Sequence, residues 1–218
     1  MPSTPEPPAR LRDAARTRAE LLEVATEVFA EDGFSGARVD EIARRTRTTK
    51  RMIYYYFGGK EQLYLATLEA AYREIREAEQ ELRVSELEPL DAVRAVAELT
   101  FDHHHRHQAF VRLVAVENVH HGEFIRKIDS LRSLSTPIVT LLGEVLERGR
   151  AAGVLRGDVD AIDVHMAISS FCVFQVANNA TFGHLFARDM ASADVMERHR
   201  KILGDMVVGW LSAGDVRP

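Results

Sequence analysis

The chain has few of the residues that mark a secreted or membrane-embedded protein. Cys172 is its only cysteine among 218 residues, so no intrachain disulfide can form, and a reducing, cytoplasmic setting is the expectation. Proline is scarce, and four of the seven fall within the first eight residues. With no apolar stretch beside them, residues 1–12 read as a disordered lead-in rather than a secretory signal. The longest run without Asp, Glu, Lys or Arg, from Val164 to Ala187, is long enough to span a bilayer. Ser169, Ser170, Gln175, Asn178, Asn179 and two histidines interrupt it, so a buried helix is expected and no membrane partner. Strand-like alternation, a glycine-rich phosphate loop and a His-Glu-x-x-His pair are all missing, which removes the usual support for nucleotide hydrolysis or metalloprotease chemistry. Cys172 lies in an apolar run and suits packing better than nucleophilic attack. The expectation is no enzyme, no catalytic residue, no cofactor and no resident metal.

The net charge is −5, too negative for the whole surface to attract nucleic acid. Its distribution is uneven. Phe34 to Lys60 holds seven basic residues (Arg38, Arg44, Arg45, Arg47, Lys50, Arg51, Lys60) against Asp40 and Glu41, a local charge of +5. From Glu61 onward 17 basic residues face 24 acidic ones. A small basic head on an acidic body concentrates attraction for phosphate in one place.

Apolar residues recur with helical period nearly everywhere, so the fold class is all-α. Leu21, Val24, Ala25, Val28 and Phe29 share one face of a first helix, which Gly33 ends. Val39, Ile42 and Ala43 mark a short second helix, and a third runs from about Thr49, its expected N-cap, to Phe57. Gly58-Gly59 breaks the chain before a long helix from Lys60 to about Leu82. Further helices are predicted near 90–106, 107–119, 123–152, 159–185 and 192–212, with Pro137 kinking or breaking the third of these.

The segment from Val39 to Lys60 meets the requirements of a helix-turn-helix. Ile42 and Ala43 give its first helix an apolar underside, and Ile53 and Phe57 do the same for the second. Thr48, Thr49, Lys50, Arg51, Tyr54 and Tyr55 are left to face outward, with the hydroxyl, ammonium and guanidinium groups that phosphates and base edges bond. Arg44 and Arg45 are as easily read as solvated charges.

Phe-Ala-Glu-Asp-Gly-Phe at 29–34, Val-Asp-Glu-Ile-Ala at 39–43 and Ile-Tyr-Tyr-Tyr-Phe-Gly-Gly-Lys-Glu-Gln-Leu-Tyr at 53–64 resemble the tetracycline-repressor (TetR) family over about residues 14 to 72. The resemblance implies a three-helix DNA-binding head at 13–60 and a helical ligand-binding and dimerisation body at 61–218. It implies phosphate contacts by Tyr54, Tyr56 and Lys60, and groove-facing positions for Lys50, Arg51, Met52 and Tyr55. Its partners would be double-stranded palindromic operator DNA, a second copy of the chain and a small-molecule inducer that releases a repressor. Three departures stand out. Arg38 occupies the position of a small hydroxyl cap, yet can reach a phosphate. The turn Thr46-Arg47-Thr48-Thr49 asks Arg47 for a positive φ. Arg51 replaces a small residue and becomes a candidate for reading guanine.

Phe110 to Phe124 resembles a branch of that family that includes pyrimidine-responsive regulators. Candidate inducer contacts are Phe110, Leu113, Glu117, Asn118 and His121 on one side, and Phe171, Phe174, Gln175, Asn178 and Phe182 on the other, an apolar set with a few polar groups. The same aromatics could be core and the same amides interhelix bonds. The hydrophobic segments 164–187 and 192–212, the last two helices, suit a four-helix dimer interface. His103, His104, His105 and His107 cluster near a helix end, and His103 with His107 has the i, i+4 spacing of two metal ligands. Exposed histidines at a helix C-terminus explain the cluster as well.

Overall fold

A computed structural model describes residues 9–212, with side chains from Asp13; the remainder of the expected lead-in lies outside the described residues. Among the described residues the chain forms ten α-helices, two single 3-10 turns (Val84–Glu86 and Ile125–Lys127) and one isolated bridge between Leu155 and Ser212. It divides into two compact units. One holds the chain up to Ala71 together with Arg112–Ile128; the other holds Tyr72–Val111 and the chain from Asp129 on. The unit that carries the basic head is thus larger than 13–60.

In the first unit α1 (Ala9–Gly36) is helical from Ala9 and breaks at Gly33, whose φ of 67° is open to glycine. Leu21, Ala25, Val28 and Phe29 are buried along it, as their spacing predicts. α2 (Val39–Arg45) and α3 (Lys50–Phe57) lay Ile42, Ala43, Ile53 and Phe57 into the same core. α4 (Lys60–Glu81) starts after Gly58, which closes α3 in the left-handed region at φ 83°.

The second unit is built around α5 (Pro89–Arg106). Ala92, Val93, Val96, Ala97 and Phe101 pack against Ile138, Leu142, Val145 and Leu146 of α7 (Ser130–Ala151), Val164, Ile168 and Cys172 of α8 (Ala161–Ala177), and Leu203, Val207 and Leu211 of α10 (Ala193–Leu211). Each Val, Leu, Ile or Phe side chain among them contributes about 1.5–3 kcal/mol on burial. Arg94–Asp205 at 2.7 Å, Arg200–Glu98 at 2.8 Å and Arg200–Asp102 at 3.2 Å lace α5 to α10.

Several expectations are corrected. α7 runs unbroken through Pro137; the proline removes one N–H, and Ser133, whose carbonyl loses that donor, is exposed to water. The helix predicted over 123–152 begins only at Ser130. The one predicted over 159–185 is two, α8 and α9 (Asn179–Leu185), bent by 70° at Asn178. Nor is the 164–187 run simply a buried helix: Met166 and Phe174 are exposed with Ile162, on the same face at spacings of four and eight. Ile202, Met206 and Trp210 form a matching exposed stripe on α10. No single described helix is long and apolar enough to cross a membrane; the bent pair α8 and α9 qualifies by length and composition only. α6 (Gln108–Val119) matches its predicted span.

Candidate nucleic-acid interface

The turn between α2 and α3 has a specific construction. Arg47 adopts φ 51°, its N–H donates to the Arg44 carbonyl at 3.3 Å, and the Thr48 N–H donates to the Ala43 carbonyl at 3.0 Å. This is a Schellman closure with arginine where glycine is usual, at a cost of about 1–2 kcal/mol for the left-handed backbone. Neither helix receives a side-chain cap. Arg38 cannot supply one, and the expected Thr49 cap is also corrected: Thr49 stands at the N-cap position with extended backbone, but its hydroxyl makes no cap bond. That leaves the hydroxyl available to a ligand outside the chain.

The outward face of α3 matches its periodicity. Arg51 and Lys50 are exposed, Tyr55 is 76% and Tyr54 46% exposed, while Tyr56 and Met52 are half-buried. Tyr56 packs edge-on to Tyr55 at 5.3 Å and beside Phe57. Two adjacent tyrosines left in water on a short helix give this face rings and hydroxyls that a partner can cover.

The seven basic residues divide into three groups, a division the sequence alone does not display. Arg44 and Arg45 both donate to Glu41, at 2.6 and 2.9 Å, and Arg45 reaches Glu31 at 3.3 Å. The Arg44 and then the Arg45 hydrogen bonds hold the Glu41 carboxyl down at about 2. Lys50 and Lys60 have weak partners. Lys50 lies 3.3 Å from Asp40, an exposed pair worth about 0–1 kcal/mol. The Lys60 Nζ donates to the Ser35 carbonyl at 3.4 Å and sits 4.9 Å over the Phe34 ring, and burial lowers its pKa. Arg38, Arg47 and Arg51 are exposed and have no ion pair among the described residues. Arg47, noted in the sequence for its charge and its backbone but not as a contact, is thus a further exposed, unpaired cation of this head.

The candidate inducer residues fall differently. In the first unit Leu113 is core, Asn118 is exposed and bonds its own helix at Val114, and His121 is exposed in a turn at φ 56°. Glu117 is fully engaged. Its Oε1 accepts from the Tyr64 hydroxyl at 2.9 Å, and its Oε2 accepts from the Phe124 and Ile125 amides at 3.1 and 3.0 Å. It anchors the turn after α6 to α4 beside the ring cluster of Phe29, Phe34, Tyr64 and Phe124.

In the second unit Phe110 is buried edge-on to Tyr72 at 5.1 Å. Gln175 donates to the Met190 carbonyl and bonds His199, joining α8 to α10. Asn178 forms the corner between α8 and α9, and Phe182 packs on Phe174. Phe171 and Phe174 line a cavity of about 410 Å³ with Ala167, Ser170, Leu203, Met206, Val207 and Trp210, opening on the exposed α8 and α10 stripes. A larger cavity of about 660 Å³ lies between the start of the 3-10 turn at 84 and α7, lined by Leu82, Val84, Ser85, Ser133, Thr136, Pro137, Thr140, Leu141 and Glu144. None of those residues was anticipated, because no local pattern marks them.

Comparison with known proteins agrees with this geometry. Residues 21–67 match the family described as bacterial regulatory proteins, tetR family, and residues 89–207 match a tetracyclin repressor-like C-terminal domain. The HTH-type transcriptional repressor NicS of Pseudomonas putida is 35% identical over 199 residues, covering 91% of this chain and 94% of that protein. The repressor SCO4008 of Streptomyces coelicolor is 32% identical over 111 residues, about half of each chain. The crystal structure of the transcriptional regulator SCO4942 from Streptomyces coelicolor superposes with a TM-score of 0.68 at 26% identity, covering 93% of this chain and 99% of that one.

Proposed function

Because this chain belongs to the TetR family of bacterial transcriptional regulators, we propose that it represses transcription by laying α3 of two copies into successive major grooves of a palindromic operator. The observation that carries this reading is the α3 face, where Arg51, Tyr54 and Tyr55 stand in water over a buried underside. Arg51 reads a base, since a guanidinium can meet guanine O6 and N7 together, at about 1–3 kcal/mol of discrimination. Lys50, Thr48, Thr49 and Tyr55 flank it in the groove. Tyr54, Tyr56, Arg38, Arg47 and Lys60 hold phosphates. Lys60 exchanges a long bond to one carbonyl for a charge-assisted bond, which favours the transfer.

Dimerisation uses the last two hydrophobic segments. Ile162, Met166 and Phe174 on α8 with Ile202, Met206 and Trp210 on α10 expose an apolar strip that a second copy would cover around a two-fold axis. The 410 Å³ cavity opens on that strip and suits a side chain of the partner. The inducer then fits the 660 Å³ cavity better, within the range of small-molecule sites and with hydroxyls and one carboxylate among apolar walls. Half-sites lie about 34–36 Å apart, so an inducer that favours another spacing of the heads releases DNA, and DNA disfavours the inducer by the same factor.

The test is selection of bound duplexes from a random pool, retested by mobility shift across a salt series. An enriched palindrome bound by two chains is expected. Lys60→Ala should weaken all sequences and flatten the salt slope by about one phosphate contact, whereas Arg51→Ala should relax preference at one base pair per half-site. Absence of any enriched sequence at moderate salt would overturn the reading.

A further inference from the structure

The histidine cluster at the end of α5 is not the exposed set expected from its place at a helix terminus. His103 and His104 are buried, at 3% and 4% exposure, and His105 and His107 are half-buried. His104 is satisfied by the Thr100 carbonyl at 2.8 Å. The His103 Nε2 is buried and has no hydrogen-bond partner among the described residues, a position that costs free energy unless something else occupies it.

We propose that His103, His107 and Glu74 bind one divalent transition-metal ion of the zinc class. One donor atom of each residue lies within 4.8 Å of the other two. The His107 Nδ1 is 3.3 Å from the Glu74 carboxylate, which matches the edge of about 3.3 Å in a tetrahedron with ligands at about 2.0 Å. The His103 and His107 rings are stacked at 4.3 Å and 19°, as one turn of helix presents them. Two imidazoles and a carboxylate are the donors that zinc, cobalt and nickel accept, with a fourth position left for water or a ligand. Glu74 is exposed and His107 partly so, which gives an ion a route in from solvent. Among the described residues Arg76 is the one buried cation, and it is paired with Glu79 at 2.5 Å.

The experiment uses the full-length, tag-free protein, stripped with chelator and titrated with Co(II), then with zinc in competition with a chromophoric chelator. Wild type should take up one ion per chain, with the intense visible absorption of tetrahedral cobalt, and zinc should displace it. Glu74→Gln, an exposed position whose change leaves the fold intact, should weaken binding at least about tenfold, the lower bound even for an outer-shell partner. His107→Gln should do the same, with far-UV circular dichroism unchanged in both. No uptake at tens of micromolar would overturn the proposal and leave Glu74 and His107 as an ion pair only. Uptake that neither variant alters would also overturn it, by placing the ion on other histidines.

Discussion

Consider replacing Glu117 by alanine. The carboxylate is buried at 3% exposure and serves three donors: the Tyr64 hydroxyl, buried completely, and the Phe124 and Ile125 amides, of which the first is buried and the second half-buried. Burial and Glu117 itself raise the Tyr64 pKa, so the phenol keeps its proton and acts as donor. Truncation strands two buried donors at about 1–3 kcal/mol each, while the Ile125 amide can turn to water. Removing a buried charge returns part of its desolvation cost. The expected net loss is therefore about 2–4 kcal/mol, a large share of the 5–15 kcal/mol that typically holds a domain.

Glu117→Gln separates lost acceptors from lost charge. Its amide oxygen can serve both backbone N–H groups while its NH₂ donates to the Tyr64 oxygen, which can turn to accept. The expected cost is only about 1 kcal/mol, the difference between a charge-assisted and a neutral bond. Tyr64→Phe should cost about 1 kcal/mol, and in that background Glu117→Ala should cost correspondingly less, since one stranded donor is gone. The assay is urea unfolding followed by far-UV circular dichroism, comparing midpoints at constant slope. If alanine costs under about 0.5 kcal/mol, or glutamine costs as much as alanine, the three-donor account is wrong.

Two further predictions test the second unit. Met206→Glu places a charge in the centre of the exposed α10 stripe, where Met206 is 55% exposed. Light scattering should report monomers, operator affinity should fall, and the thermal midpoint should drop only by the stability that association supplied, because a charge is cheap in water but costly in a covered apolar face; an intact dimer would place the interface elsewhere. Gly149→Ala is informative by its sign. Helix propensity alone would stabilise by about 0.8–1 kcal/mol, but a Cβ there would overlap the Leu155 side chain, itself 4% exposed and unable to swing out. Overpacking of about 1–3 kcal/mol should win, and a raised thermal midpoint would refute the packing described.

What the sequence made legible here was local and apolar. Ile42, Ala43, Ile53 and Phe57 declare the underside of the head because burial repeats with the helix period, and Arg47 declared its strained backbone because the turn is short and its geometry restricted. Polar residues were read less well for a physical reason: their role depends on partners that lie far along the chain. Glu117 looked like a ligand contact until Tyr64, 53 residues away, accounted for it. Arg44 and Lys50 are equally basic in sequence, yet Glu41 engages one in two short bonds while Asp40 holds the other weakly. The same reasoning bears on His103. Its i, i+4 spacing to His107 was visible, but a helix end is solvated only if the helix is peripheral, and α5 runs through the middle of the second unit's core. Burial of that end changes an exposed histidine with no need of a partner into a buried nitrogen that lacks one, and the carboxylate of Glu74, 29 residues earlier, lies within 4.8 Å of that ring. Charge count thus marks the basic head, while which of its cations are free for a partner depends on the pairing of each charge.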